Sequence, residues 1–144
     1  MSSLTTPWTL GDIELPNRLV LAPLAGIGNW FVRLQAKRYG AGFAVSEMVS
    51  SFGLKYGDER THREFLRMHP DEHPMAVQLF GHDAEVMRVA AGIVAEAGAD
   101  AMFRTSHAKF CPKKPVRKVS GRKIVAMIVS CFITSFWRLA CVER

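Results

Sequence analysis

The run Met75-Ala76-Val77-Gln78-Leu79-Phe80 carries a single polar side chain, Gln78, inside an otherwise apolar strand pattern. A buried amide must find hydrogen-bond partners. Gln78 therefore either meets a ligand with matched donors and acceptors, such as a flavin or a nucleobase edge, or bonds neighbouring backbone. Pro23-Leu24-Ala25-Gly26-Ile27-Gly28 could bring backbone N–H groups against a planar ligand, or could be a tight strand-to-helix turn. Phe31 stands where Gly26-x-Gly28 would need its third glycine, so a dinucleotide pyrophosphate loop is not expected. Glu47 follows an apolar strand and reads as an acid–base or ligand group, or as a cap or loop ion pair. His69 and His73 are four apart, but Pro70 and Pro74 deny them the regular helix that aligns a metal-binding pair. A solvated loop and no metal are expected there. His107 and Cys111 repeat the spacing without a second pair to complete a zinc site.

The pattern of the chain predicts the elements that would position these groups. Trp8-Thr9-Leu10 and Ile13-Glu14-Leu15 flank Gly11-Asp12 as in a small hairpin. Leu19 to Ala22 is short and wholly apolar, the pattern of a strand covered on both faces. Asn29 can cap a helix running to about Tyr39, with Trp30, Leu34 and Arg38 on one side and Gly40 and Gly42 at its end. Phe43-Ala44-Val45 predicts a second strand, ending in Ser46-Glu47-Met48. The polar stretch from Lys55 to Arg67 reads as helical near Arg60 to Met68. Met75 to Phe80 is a third strand. Asp83 is placed to cap a helix from Ala84 to Ala97, whose apolar stripe is Val86, Val89, Ala90, Ile93, Val94 and Ala97. Gly98 stops that helix, and Ala99 to Phe103 begins a fourth strand. Strands alternating with helices predict the α/β class with a parallel sheet, open or closed. Chemistry in such folds sits beyond the strands' C-terminal ends. That selects Pro23 to Gly26, Ser46 to Met48 and Gln78 to Gly81.

Composition divides the chain in two. The 144 residues carry a net charge of +6, with 49% hydrophobic and 22% charged residues, which excludes a disordered tail and fits one domain. Residues 1–100 hold 9 Lys+Arg against 12 Asp+Glu, a net of −3. Residues 101–144 hold 10 against the single acid Glu143, a net of +9, and all three cysteines. An odd cysteine count without close pairing does not suggest a disulfide framework. No secretory pattern opens the chain, and a cytoplasmic location is expected. Ile124 to Trp137 is uncharged but only 14 residues long, short of the roughly 20 that a spanning helix needs. A buried apolar run is expected there rather than a membrane span.

Several segments match in order and spacing. They are Asn17-Arg18-Leu19, Ala22-Pro23-Leu24-Ala25-Gly26, Gly40-Ala41-Gly42, Val45-Ser46-Glu47-Met48-Val49-Ser50-Ser51, Val77-Gln78-Leu79-Phe80-Gly81 and Ala95-Glu96-Ala97-Gly98-Ala99-Asp100. The set, covering residues 8–100, resembles the tRNA-dihydrouridine synthase family, FMN-dependent oxidoreductases on a TIM barrel. The resemblance implies a (β/α) barrel, here incomplete at three to four βα units. It also implies NADPH as reductant and a tRNA uridine as substrate, turned out of its stack to reach the flavin. The flavin would reduce the uracil carbon–carbon double bond while a cysteine protonates the other carbon. By the same resemblance Pro23, Leu24 and Ala25 match the first FMN-contacting segment, and Gln78 matches the amide that bonds the flavin ring.

The resemblance lapses at the fourth strand. Where the family has Asp-x-Asn-x-Gly-Cys-Pro, this chain has Phe103-Arg104-Thr105-Ser106-His107-Ala108-Lys109-Phe110-Cys111-Pro112. Cys111 is the remaining candidate proton donor, about three residues late. A full barrel needs on the order of 200–250 residues. The expectation is therefore a family-like segment over residues 1–103 followed by a divergent tail, 104–144, arising by truncation or frameshift. Two other functions compete: a nucleic-acid-binding fragment using the basic stretch Lys109 to Lys123, and a membrane-associated tail. The target uridine and the oligomeric state are not legible.

Overall fold

A computed structural model describes residues 4–105 and the backbone of residues 125–129. The chain opens with the expected hairpin: β1 (Trp8–Leu10) and β2 (Ile13–Leu15) pair antiparallel, Trp8 opposite Leu15, around Gly11 at φ +60°. Five strands then form one sheet: β3 (Val20–Leu21), β4 (Phe43–Ser50), β5 (Met75–Phe80), β6 (Ala101–Thr105) and β7 (Val125–Val129). They lie side by side in sequence order, and every neighbouring pair is parallel. Parallel neighbours need crossover connections, and an order without reversal contains no switch point of the doubly wound kind.

The helical crossovers are α1 (Trp30–Arg38), α2 (Ser51–Lys55) and α3 (Ala84–Glu96). The expected caps are present: the side chains of Asn29 and Asp83 accept from Val32 N and Val86 N. The helix ends share one device. Gly40 N donates to Lys37 O and Ala41 N to Ala36 O, as Gly98 N does to Ala95 O and Ala99 N to Val94 O. Both glycines have left-handed φ, +96° and +102°, which that ending requires.

The polar stretch is helical inside the expected Arg60 to Met68, over Thr61–Phe65, as one wide π-helical turn; the short α2, started by the Ser50 hydroxyl on Gly53 N, precedes it and a 3-10 turn at Pro70–Glu72 follows. On α1 the buried pair is Arg33 and Leu34, because Arg33 has an acidic partner under the helix. Two sequence readings need correcting. The stripe of α3 is rotated: Val86, Met87, Ala90, Ala91, Val94 and Ala95 are buried and Ala97 is exposed, because α3 packs against both the sheet and α2. Finally, β4 does not stop before Ser46-Glu47-Met48 but bulges there. Val45 pairs with Ala76 and Met48 with Gln78, so three steps on β4 match two on β5.

That bulge exchanges the faces of the strand, because side chains alternate with period two. Before it, Phe43 and Val45 face one way. After it, Val49 faces the other. The helix-side core gathers Val49, Leu54, Met75, Val77, Leu79, Ala90, Val94 and Met102. On the opposite, inner face Phe43, Val45, Ala76 and Ala101 pack with Leu10 and Leu15, so the hairpin plugs the inner face. Each side of β5 is thus covered, which explains its nearly unbroken apolar sequence.

The apolar run 124–137 is described only at β7, whose backbone adds a fifth strand beside β6, Ala101 opposite Val125. Among the described residues no helix is long and apolar enough to cross a membrane.

Candidate functional site at the C-terminal strand ends

The loop after β3 is built around one carbonyl. Ile27 N and Gly28 N both donate to Leu24 O, at 3.3 and 2.7 Å. A Cβ on Gly28 would lie 2.7 Å from that oxygen, so the turn closes only around glycine. Gly26 N donates to Glu47 Oε2 at 2.7 Å. The bulge in β4 thus supplies a carboxylate to the loop, and Glu47 acts as a loop-holding acceptor. Pro23 and Leu24 are half-buried and Ala25 is exposed.

Beneath the loop lies an ion pair that sequence reasoning missed. Arg33 (1% exposed) and Glu72 (0%) meet at 2.6 Å, Nε to Oε2. Arg33 Nη1 donates to Gly28 O at 2.9 Å and Nη2 to Arg67 O at 2.8 Å, while Glu72 Oε1 accepts from His69 N. A buried pair is tolerable when its remaining hydrogen-bonding groups are satisfied, as these are. The pair ties the loop's end to the segment before β5. The spacing of Trp30, Arg33, Leu34 and Lys37 on one helical side was a usable signal, but Glu72 sits 39 residues away.

Gln78 lies on the inner face, two residues beyond Ala76, and is 7% exposed. Its backbone N donates to Ser46 Oγ at 3.0 Å, and Ser46 Oγ donates to Glu47 O at 2.8 Å. Its Nε2 donates to Thr105 Oγ1 at 2.7 Å. Among the described residues its buried Oε1 has no partner. Beside it on the sheet are two exposed apolar side chains, Met48 (47%) and Phe80 (41%), where β4 and β5 end. The arrangement is an apolar surface with one unsatisfied acceptor, next to a loop of exposed backbone. Ligand sites are mostly apolar with a few placed polar groups. The fourth strand, expected to begin at Ala99 to Phe103, runs on to Thr105, whose hydroxyl sequence reasoning gave no role.

The structure thus brings Pro23, Leu24, Ala25 and Gln78 to the same end of the sheet, bridged by Ser46 and Glu47 of β4. Cys111 lies outside the described residues. The histidines are engaged separately: His69 Nδ1 caps the 3-10 turn by accepting from Asp71 N, and His73 Nδ1 meets Asp100 Oδ2 at 2.6 Å. Among the described residues no group of three or more His, Cys, Asp or Glu is placed to hold a metal ion.

Fold and site together define a parallel α/β protein, wound in sequence order, with its candidate ligand surface at the C-terminal strand ends. The family model for dihydrouridine synthase (Dus) matches residues 20–102, more than half of the chain. The chain belongs to that family. It is 36% identical over 118 residues to a tRNA-dihydrouridine synthase B of Pseudomonas putida, covering 81% of this chain and 34% of the relative. Against a protein of the same name from Pectobacterium carotovorum it is 38% identical over 119 residues, covering 81% and 35%. A probable tRNA-dihydrouridine synthase of Rickettsia typhi is 34% identical over 90 residues, covering 62% and 28%. The chain spans about a third of the length of these relatives.

Proposed function

We propose that this chain is the flavin-facing part of a TIM-barrel tRNA-dihydrouridine synthase, with FMN at the C-terminal strand ends and a tRNA uridine as substrate. One observation carries this reading. Gln78 is buried on the inner face with its Nε2 bonded and, among the described residues, its Oε1 unpartnered. An unsatisfied buried carbonyl costs about 1–3 kcal/mol, and a ring N–H of a bound flavin would remove that penalty. The rest of the site fits a planar, mostly apolar ring: Met48 and Phe80 offer apolar surface and Pro23, Leu24 and Ala25 offer loop backbone. When bound, FMN supplies hydride transfer, with NADPH as the reductant.

This chain's own residues bind and orient. Glu47 holds Gly26 N, and Arg33 holds Gly28 O, so bonds within the chain set the shape of the loop. The Ser46 hydroxyl pins the Gln78 backbone. Such preorganisation is what a protein contributes to a cofactor's chemistry. Cys111 is the candidate donor of a proton to the second uracil carbon. The names of the relatives support tRNA as the substrate class. We propose a cytoplasmic location on that reading. We place the divergence after Phe103 in the catalytic motif rather than in the sheet, since β7 continues the parallel order.

The test is direct. Purified chain should carry flavin absorbance, release FMN on denaturation, and form dihydrouridine in unmodified tRNA when given NADPH. Colourless protein that takes up no added FMN would overturn the reading.

A further inference from the structure

We propose that the stacked rings of Phe52, Tyr56 and His82 form a platform that takes an unpaired base of the RNA, next to the nucleotide that reaches the flavin. This rests on the tRNA reading above. Tyr56 and His82 each stack on Phe52, with ring centroids 6.0 and 5.2 Å away and planes 28° and 24° from parallel. The Lys55 ammonium lies 5.6 Å from the Tyr56 centroid. Strand register brings these rings to the C-terminal strand ends. Ser50 pairs with Phe80 where β4 and β5 finish, and Ser50 caps α2, which leads from Phe52 to Tyr56. Gly81 then passes so close to α2 that a Cβ on it would collide with Ser51 Oγ. That close approach lays His82 against Phe52.

Packing alone does not account for the cluster. Leu54 carries the contact of α2 with the core, while Tyr56 (71%) and His82 stay exposed. Among the described residues no second ring stacks on His82, so the imidazole has a face to offer. His82 is two residues beyond Phe80, whose exposed side chain belongs to the candidate flavin surface. A uridine turned out of its stack leaves the neighbouring base with an open face. Unpaired RNA bases are held by stacking on Phe, Tyr, Trp or His rings. The charge suits a polyanion: Lys55 stands beside the rings, and the acids that follow His82 are engaged, Asp83 in capping α3 and Glu85 with Arg88.

The experiment titrates end-labelled unmodified tRNA, and a fully paired RNA duplex, with the 144-residue chain, His82→Ala and His82→Phe. Fluorescence anisotropy is read at several salt concentrations, and FMN affinity and the urea unfolding midpoint are measured alongside. His82→Ala should weaken tRNA binding about fivefold or more, and His82→Phe should stay within about twofold of the unmodified chain. Neither should alter FMN affinity, the unfolding midpoint, duplex binding or the slope of log affinity against log salt, since stacking releases no counterions. Unchanged tRNA binding by His82→Ala overturns the proposal and leaves the rings as packing or as a protein-facing surface. An equal loss in His82→Phe also overturns it, because the charge or a hydrogen bond of the imidazole, not its face, would then hold the RNA. A loss that comes with a lower unfolding midpoint and weaker FMN binding makes the ring structural and overturns it too. A chain that binds FMN but no tRNA would instead remove the tRNA reading itself, and this inference with it.

Discussion

The two ends of the parallel sheet use polar groups differently. At the N-terminal ends Asn17 is a knot: its Oδ1 accepts from Leu19 N and Gly42 N, its Nδ2 donates to Gly40 O, and its backbone carbonyl takes the Trp8 indole N–H. Asp100 does similar work between β5 and β6, accepting from Met75 N while pairing with His73. At the C-terminal ends the loop is held as firmly, by Glu47 and Arg33, yet a buried acceptor on Gln78 is left over. Among the described residues, the polar groups of Asn17 and Asp100 are bonded at one end, and the other end has bonding capacity in reserve. The same polarity separates stability from chemistry in βα barrels.

Four substitutions test this contrast. The largest effect is expected from Glu72→Ala, which strands the Arg33 guanidinium in the core. Breaking a buried pair from one side costs about 3–5 kcal/mol, and the urea unfolding midpoint should fall accordingly. Asn17→Ala removes three side-chain bonds at the satisfied end and should destabilise by roughly 2–3 kcal/mol. The molecules still folded should keep their FMN affinity by fluorescence titration. A loss of affinity there would erase the distinction between the ends. Gln78→Met should do the opposite: stability within about 1 kcal/mol, because an unsatisfied carbonyl leaves with the amide, but FMN affinity reduced about tenfold or more. A large fall in the unfolding midpoint would mean that Gln78 is structural after all.

The smallest effect concerns pH and the surface turn after α2. Hydrogen bonds from the Thr61 hydroxyl and the Thr61 backbone N–H hold the Asp58 carboxyl below the ordinary carboxylate range, with Arg60 adding to them. A folded-state pKa below the unfolded one contributes stability above the ordinary carboxylate pKa, lost as pH falls through the lowered value. Asp58→Asn should slightly flatten the acid limb of the stability–pH curve and leave both sheet ends untouched.

Much of this was legible in one dimension. Asn29 and Asp83 announced their helices because capping is local chemistry. Gly40 and Gly98 marked helix ends for the same reason, and the lone Gln78 in an apolar strand marked the residue on which the proposed flavin site turns. The differences are of another kind. The buried stripe of α3 lies a fraction of a turn from the expected one, because which face is buried depends on α2, an element the pattern does not show. Glu47 is expected beyond a strand that in fact bulges through it. The burial of Arg33 is not legible, since nothing near it in sequence reveals an acid 39 residues on.

The sequence by itself determined the element types, the parallel α/β class and the family, since these depend on periodicity, caps and ordered motifs that neighbouring residues carry. Tertiary structure alone decided that Arg33 and Glu72 meet, that the β4 bulge delivers Glu47 to the loop after β3, and that Thr105 takes one end of the Gln78 amide while leaving the other. The first depends on how α1 docks against the turn before β5, and the other two on register between neighbouring strands. A one-residue difference in register exchanges the faces of a strand, so the placement of these groups is fixed only when the sheet assembles.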